Sequence, residues 1–387
     1  MEEQDLLNMR VSDVPRASVI SQPTPAKPAG RLSFSQVNPN LQIAWDSVSS
    51  GTAKTCPRKY QLQIVEGWVP KHQAGGSGSS LHLRYGQLYH RVLEVYDHFY
   101  FSHEEIPGIE RHEQAMRFAL RDLARGCQDY ETIAGPCEDE GCEHFGTEHG
   151  HVRRIGWWDP NAGLSEDAAS KNTKTIPNLF RTAIWYMDQF GFKDPCKTVR
   201  LANGKPAVEL SFRYELGYTF ETGEELFHCG HLDRLVELGE TYYVLDRKTT
   251  KNTISGNSSW GYFAKYNPDN QMTGYTFGSK VALSMPVAGV IIDAAQIAKG
   301  FTRFERGFTM RSEGQLNEWR NDFIELVIRF EGYAKRGYWP MNDTACDHYG
   351  GCVFRGVCSK DPSVRKAYLE ADFVRRPWDP LQVRGDI

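Results

Sequence analysis

No window of the 387-residue chain approaches the ~18 consecutive apolar residues of a membrane span. The opening stretch, MEEQDLLNMRVSDVPR, is acidic and carries no apolar run, so no secretory signal is expected. Cysteine is sparse: nine residues, an odd number, are too few for a disulfide scaffold and fit a reducing, cytoplasmic compartment. An excess of positive charge is also missing. Lys plus Arg total 45 against 49 Asp plus Glu, a net charge of −4, which excludes a protein that coats nucleic acid by global charge. Any nucleic-acid contact must come from a local patch. No fixed-period repeat occurs, which argues against solenoids and propellers. No G-x-x-x-x-G-K-[ST] loop occurs, so any strand unwinding must come from a partner.

What is present is ordinary for a globular protein. Apolar residues make up 40% and charged residues 24%, in a length that suggests two or three units. Residues 1–40 include SQPTPAKPAG and few periodic apolar positions, and they read as a tail or surface arm. Residues 41–206 read as a helical part. Within it, 81–101 repeat apolar residues at helical spacing, with Leu88, Val92, Val95 and Phe99 as one expected stripe. Residues 111–134 read as a second helix, 135–175 as an irregular insertion, and 176–192 as a third helix. Residues 207–340 are the expected core. VELSFRYELGYTF, LFHCGHLDRLVEL and TYYVLDRKTT read as a strand meander joined at ETGEE and GE. A helix over 268–284, the strands AGVIIDAAQI and FTRFERGFTM, and a long helix over 312–336 follow. Residues 341–387 form a cysteine-rich tail. This order predicts an α/β fold, a central mixed β-sheet flanked by helices, with helical additions.

The chemistry concentrates on two strands. Asp246 and Lys248 stand two apart in VLDRKTT, so they share one strand face. Asp233, in GHLDRL on the expected hairpin partner, belongs beside them. Two carboxylates that close repel unless a cation bridges them. A hard divalent ion, Mg²⁺ or Mn²⁺, suits such oxygen ligands. Lys248 would orient a water or offset charge building on a phosphate. Arg247 would face the other way, offering only its backbone carbonyl. A bare D-x-K is most often an exposed strand of mixed charge; its company gives it weight. Gln271 and Tyr275 are four apart and share a helix face. Upstream, Gly86, His90 and Glu94 recur every four residues. Glu209 sits on the strand before Asp233.

Three cysteines, Cys346, Cys352 and Cys358, fall within 13 residues. In a reducing compartment such a cluster more often binds metal than forms crosslinks. A second crowd, Cys137, Cys142, His144, His149 and His151, lies in the insertion with Cys127 just upstream. Its spacing is near that of a zinc site but fits no standard finger; the alternative is a polar loop that happens to carry these residues. Cys196 and Cys229 read as core residues. Arg153 and Arg154 before Trp157 and Trp158, and Arg375 and Arg376 before Trp378, mix basic and aromatic groups in a way that suits single-stranded nucleic acid. Ordinary surface packing explains them equally well.

Taken in order, CPRKY, G-x-x-x-H, GHLDR, D-x-K and Q-x-x-x-Y resemble the RecB-like branch of the PD-(D/E)XK nuclease superfamily, over residues 56 to 358. The resemblance implies a restriction-endonuclease-like core and a Mg²⁺- or Mn²⁺-dependent deoxyribonuclease, an exonuclease rather than an endonuclease. It would act on DNA ends or single strands in replication, recombination or repair. It implies that His90, Asp233 and Asp246 are metal ligands and Lys248 the catalytic lysine. Gln271 and Tyr275 would support the site and contact the DNA strand, with Glu209 as a less firm match.

In the iron–sulfur subgroup, seen in AddB-type nucleases and CRISPR-associated adaptation nucleases, one cysteine precedes the core and three follow it. Cys56, 290 residues before Cys346, completes that set here and implies a [4Fe–4S] cluster, with Zn²⁺ as the alternative. Both steps of this tail are C-x5-C, whereas the usual tail has a C-x2-C step. A helicase or recombinase partner, and a bacterial or phage-infected cell, follow by the same analogy. The rival on the same fold is a DNA-end-binding or docking module with little or no activity.

Overall fold

The structure, a computed structural model, describes residues 18–19, 32–71, 81–133, 151–255, 261–347 and 351–381, with backbone alone for 18–19, 130–133 and 151–155. The strands are β1 (Ser18–Val19), β2 (Ala44–Trp45), β3 (Trp68–Pro70), β4 (Gln128–Ile133), β5 (His151–Trp157), β6 (Lys197–Thr198), β7 (Val208–Thr219), β8 (Glu225–Leu238), β9 (Thr241–Thr250), β10 (Val287–Ile297), β11 (Thr302–Met310) and β12 (Phe373–Arg375). The main helices are α1 (Ser47–Thr55), α2 (Leu81–Ser102), α3 (Gly108–Gly126), α4 (Ile176–Phe190), α5 (Asn270–Leu283) and α6 (Glu313–Arg336).

The central sheet has eight strands. Its path is β1-β7-β8-β9-β10-β11, with β2 and β6 also on β8. β7, β8 and β9 form the expected antiparallel meander. β9 and β10 are parallel, and α5 makes the crossover that a parallel pair requires. β11 returns antiparallel to β10. β7 buries alternate residues from Val208 to Leu216, as a strand with one covered face does. β10 is buried along nearly its whole length, as a strand covered on both faces must be.

One face of the sheet meets α5 and α6. There Phe212, Tyr214 and Val244 pack with Met272, Phe277, Trp319 and Phe323. Ala295 and Ile297 join α2, α3 and α4 in a second core on the opposite face. Helix α6 starts at a capping box between Ser312 and Gln315 and stops at Gly337, whose φ of +62° suits glycine. Among the described residues, no helix is long and apolar enough to cross a membrane.

Three local expectations need correction. The buried stripe of α2 is Tyr85, Tyr89, Val92, Leu93, Tyr96 and Tyr100; Leu88, Val95 and Phe99 pack at its margin. Tyrosine, polar by its hydroxyl, buries a large apolar ring here. The expected helix over 111–134 stops at Gly126. A side chain at Gly126 would strike Leu88 Cδ2 at 2.7 Å, and the chain turns into β4, which pairs with β5 inside the supposedly irregular stretch. The surface arm also ends before residue 40: Phe34 and Leu41 are buried in the main core, and Ser18 and Val19 pair with the outer edge of β7.

Candidate functional site

β8 and β9 place the two aspartates. Extending the pairing Arg234↔Leu245 by one step sets Asp233 opposite Asp246. Both side chains are buried. Lys248 Nζ donates to Asp246 Oδ1 at 2.9 Å. It also lies 2.7 Å from Oδ2, but off the hydrogen-bonding direction, which leaves that buried oxygen without a hydrogen-bond partner. The same ammonium reaches Gln271 Oε1 at 3.5 Å, and Gln271 Nε2 donates to Tyr275 Oη at 3.0 Å. The D-x-K strand and the Q-x-x-x-Y helix thus meet as the sequence predicts.

Asp233 Oδ2 accepts the Arg247 amide at 2.8 Å and lies 3.2 Å from His90 Nδ1. Glu209 completes this side. The pairs Val208↔Arg234 and Leu210↔Leu232 flank it and set it opposite Asp233. Donor atoms of His90, Glu209 and Asp233 all lie within 4.8 Å of one another, the one such His/Cys/Asp/Glu group among the described residues. Glu209 has φ of +48°, a left-handed conformation inside a strand. For a non-glycine residue that costs on the order of 1–2 kcal/mol, and such strain gathers at functional sites. Glu94, the third member of the four-residue series on α2, pairs with Arg91 at 3.2 Å instead of joining the site.

The two aspartates are pushed apart electrostatically. Burial would raise the Asp233 pKa, but the charge and hydrogen bond of His90, with Lys248 and the Arg247 amide, hold it well below the usual carboxylate range. Asp246 goes the other way. Burial raises it to about 6, with Asp233 adding to the rise and Lys248 opposing it. For Lys248, burial disfavours the ammonium, yet Asp246 and Asp233 outweigh it and raise the pKa. Lys248 is therefore a fixed cation and hydrogen-bond donor. The imidazole of His90 and the carboxylates of Glu209 and Asp233 gather around one point and could hold a metal ion, with Asp246 on the neighbouring strand outside that group.

Arg247 does face the other way. Its buried guanidinium pairs with Asp97 of α2 at 2.5 Å and lies over the Tyr186 ring of α4 at 5.6 Å. It continues into a buried polar layer. The Tyr186 hydroxyl donates to Asp293, Arg306 bridges Asp293 and Asp194, and Arg234 closes on Asp194 at 3.2 Å. No sequence period connects the members of this layer, which lie on α4, β8, β10, β11 and the segment before β6.

The four cysteines also converge. Cys56, Cys346, Cys352 and Cys358 line one cavity with Lys59, Asn342 and Phe354. Two distant segments are tied there: the Asn342 amide donates to Cys56 Sγ at 3.3 Å and the Arg58 amide to the Pro340 carbonyl at 3.0 Å. Beside the cavity, β3 pairs with β12 over a small core of Leu62, Trp68, Phe354, Val357, Leu369 and Phe373. No three of the sulfurs close to within 4.8 Å, since none joins such a group among the described residues.

Cys137, Cys142, His144 and His149 lie outside the described residues, as do the side chains of His151, Arg153 and Arg154. Cys127, Cys196 and Cys229 are buried core residues. Trp157 is exposed, whereas Trp158 is buried under Arg84 at 4.7 Å. Arg375 stacks on Trp68 at 4.7 Å, a packing role.

No family model matches the chain, and no curated protein matches it. A similar solved structure is protein VC1899 from Vibrio cholerae, at 10% identity and a TM-score of 0.18, covering 71% of this chain and 61% of that one. The chain thus spans less than two thirds of that protein's length.

Proposed function

We propose that the chain is a divalent-metal-dependent deoxyribonuclease acting on DNA ends or single strands, built on a restriction-endonuclease-like core of the RecB-like type. The observation that carries this reading is the set Asp233, Asp246 and Lys248 on paired strands, with Lys248 linking Asp246 to Gln271. The element order α2-β7-β8-β9-α5-β10 supports it, as does the meeting of four separate sequence motifs at one point.

Asp233, Asp246, His90 and Glu209 are the side chains that would hold Mg²⁺ or Mn²⁺. When bound, such an ion supplies a Lewis acid and makes water a stronger nucleophile near neutral pH. The protein's own groups do the rest. Lys248, kept protonated by the two aspartates, offers a fixed donor to a phosphate oxygen and offsets the charge that develops there. Gln271, held between Lys248 and Tyr275, fixes the direction of that ammonium. His90 holds Asp233 in place as a carboxylate. The four-cysteine cavity supports a [4Fe–4S] cluster, in a structural role that joins residues near 56 to those near 350. DNA is the proposed partner, with a helicase or recombinase supplying any unwinding.

Asp246→Asn tests the assignment. It should lose at least about two orders of magnitude in cleavage rate while still binding DNA. A variant that cuts as fast as the parent would show that the site lies elsewhere.

A further inference from the structure

The corner between α2 and α3 and the segment from α4 to β6 close over β8 and leave a cavity of about 160 Å³. A cavity of ~150 Å³ holds one benzene ring. Tyr100 and Phe101, at the end of α2, and Phe192, just after α4, give it flat apolar walls. Arg111 comes from the first turn of α3, Lys197 from β6 and Arg234 from β8. The wall is set before any ligand arrives. A side chain at Gly191, which also lines the cavity, would strike Tyr96 Oη at 2.5 Å, and that hydroxyl lies 2.7 Å from His112 Nδ1.

The charges on the walls do not cancel. The three cations line the cavity with two carboxylates, Glu104 and Asp194. Both carboxylates are already engaged by arginines outside the lining. Arg200 pairs with Glu104 at 2.5 Å, and Arg306 pairs with Asp194 at 2.6 Å. Arg306 also reaches Asp293 at 3.2 Å. Five cations therefore stand against three carboxylates.

Arg111 is the uncommitted cation. Its Nε is buried without a hydrogen-bond partner, and no described residue forms an ion pair with it. Its guanidinium lies over the Tyr100 ring at 4.4 Å, which fixes its plane and leaves its N–H edge for a ligand. Lys197 Nζ donates to the Asp194 carbonyl at 2.7 Å, which uses one of its three donors. Arg234, by contrast, is spent on structure. It donates to Thr198 Oγ1 at 2.6 Å, to the Cys196 carbonyl at 2.8 Å and to Asp194 Oδ2 at 3.2 Å.

We propose that this cavity binds a small oxyanion joined to a flat ring. Arg111 and Lys197 hold the oxyanion, a phosphate or a carboxylate, and the ring sits among Tyr100, Phe101 and Phe192. A planar guanidinium edge matches the paired oxygens of either group, and the aromatic walls suit a ring better than a bare ion. The site is separate from the one around Asp246. Asp233 and Arg234 are neighbours on β8, and neighbours on a strand point to opposite faces.

Calorimetric titration of the full chain, in chloride buffer without divalent metal, tests this with phenyl phosphate, benzoate and inorganic phosphate. The parent should bind a ring-bearing probe at one per chain, and more tightly than inorganic phosphate. The tighter of phenyl phosphate and benzoate identifies the oxyanion. Arg111→Gln should weaken that binding about tenfold or more, the share of one charge-assisted hydrogen bond. Lys197→Met should weaken it as well. Lys197 is exposed, so its variant decides if Arg111→Gln lowers the melting temperature. A parent that binds neither ring-bearing probe overturns the site. Affinity unchanged in a well-folded Arg111→Gln places the probe elsewhere and overturns it too. Inorganic phosphate bound as tightly as phenyl phosphate overturns the part given to the aromatic walls.

Discussion

Asp246 is held in the folded chain at an electrostatic cost. Burial raises its pKa to about 6, so the folded state binds this proton more tightly than the unfolded state does. By linkage, its contribution to stability is present at low pH and is lost as pH rises from the ordinary carboxylate range through about 6. Asp246→Asn should therefore stabilise the metal-free protein at pH 8, by ~1–3 kcal/mol, while removing cleavage. Thermal melts at pH 8 and pH 4 check this: the gain belongs to pH 8 and should shrink at pH 4.

His228 has the opposite pH sense. It is buried among Phe212, Tyr214, Trp319 and Phe323, and its Nδ1 has no hydrogen-bond partner. Burial pushes its pKa down to about 3. The stability it permits is complete above the unfolded pKa near 6.5 and is lost as pH falls toward 3, at roughly 1.4 kcal/mol per pH unit. His228→Leu should flatten that acid limb. Urea titrations at pH 4.5 and 7.5 that show the same pH loss in both proteins would contradict it.

At the level of elements, β9 presents Asp246 and Lys248 to α5 and Arg247 to α2. The buried Arg247–Asp97 pair ties the His90 helix to β9. Asp97→Leu leaves a buried guanidinium unpaired and should cost ~3–5 kcal/mol. Asp97→Leu with Arg247→Met should recover most of that loss, because both charges are then gone. Denaturant midpoints of the three proteins measure it; equal losses in the single and double variants would argue against the pair.

The strands themselves were legible because their residues alternate and their joins carry turn signals. The two-residue spacing of Asp246 and Lys248 and the four-residue spacing of Gln271 and Tyr275 each fixed a face, while that the two faces would share one site was implied only by the resemblance. Glu209 was legible only as a possible support on the strand before Asp233, since its place beside that residue depends on cross-strand register and on a left-handed φ. β4 was not legible, because the helical pattern carries on past Gly126 while the structure stops there.

Across the whole molecule, the cysteine cavity joins a segment before the central sheet to one after it. Anaerobically purified protein should be brown and carry about four irons per chain. A colourless protein with one zinc per chain would point to the alternative metal. Cys352→Ser should lower the melting temperature of the whole fold, because it loosens a closure spanning 290 residues between Cys56 and Cys346.

The most direct measurement is a time course on end-labelled single- and double-stranded DNA, with Mg²⁺ or Mn²⁺, beside Asp246→Asn and Lys248→Ala. A nuclease centred on these residues gives metal-dependent shortening that both variants abolish, and the label lost first gives the polarity. No cleavage by intact, metal-replete protein on any end structure, or cleavage that survives both substitutions, would contradict it.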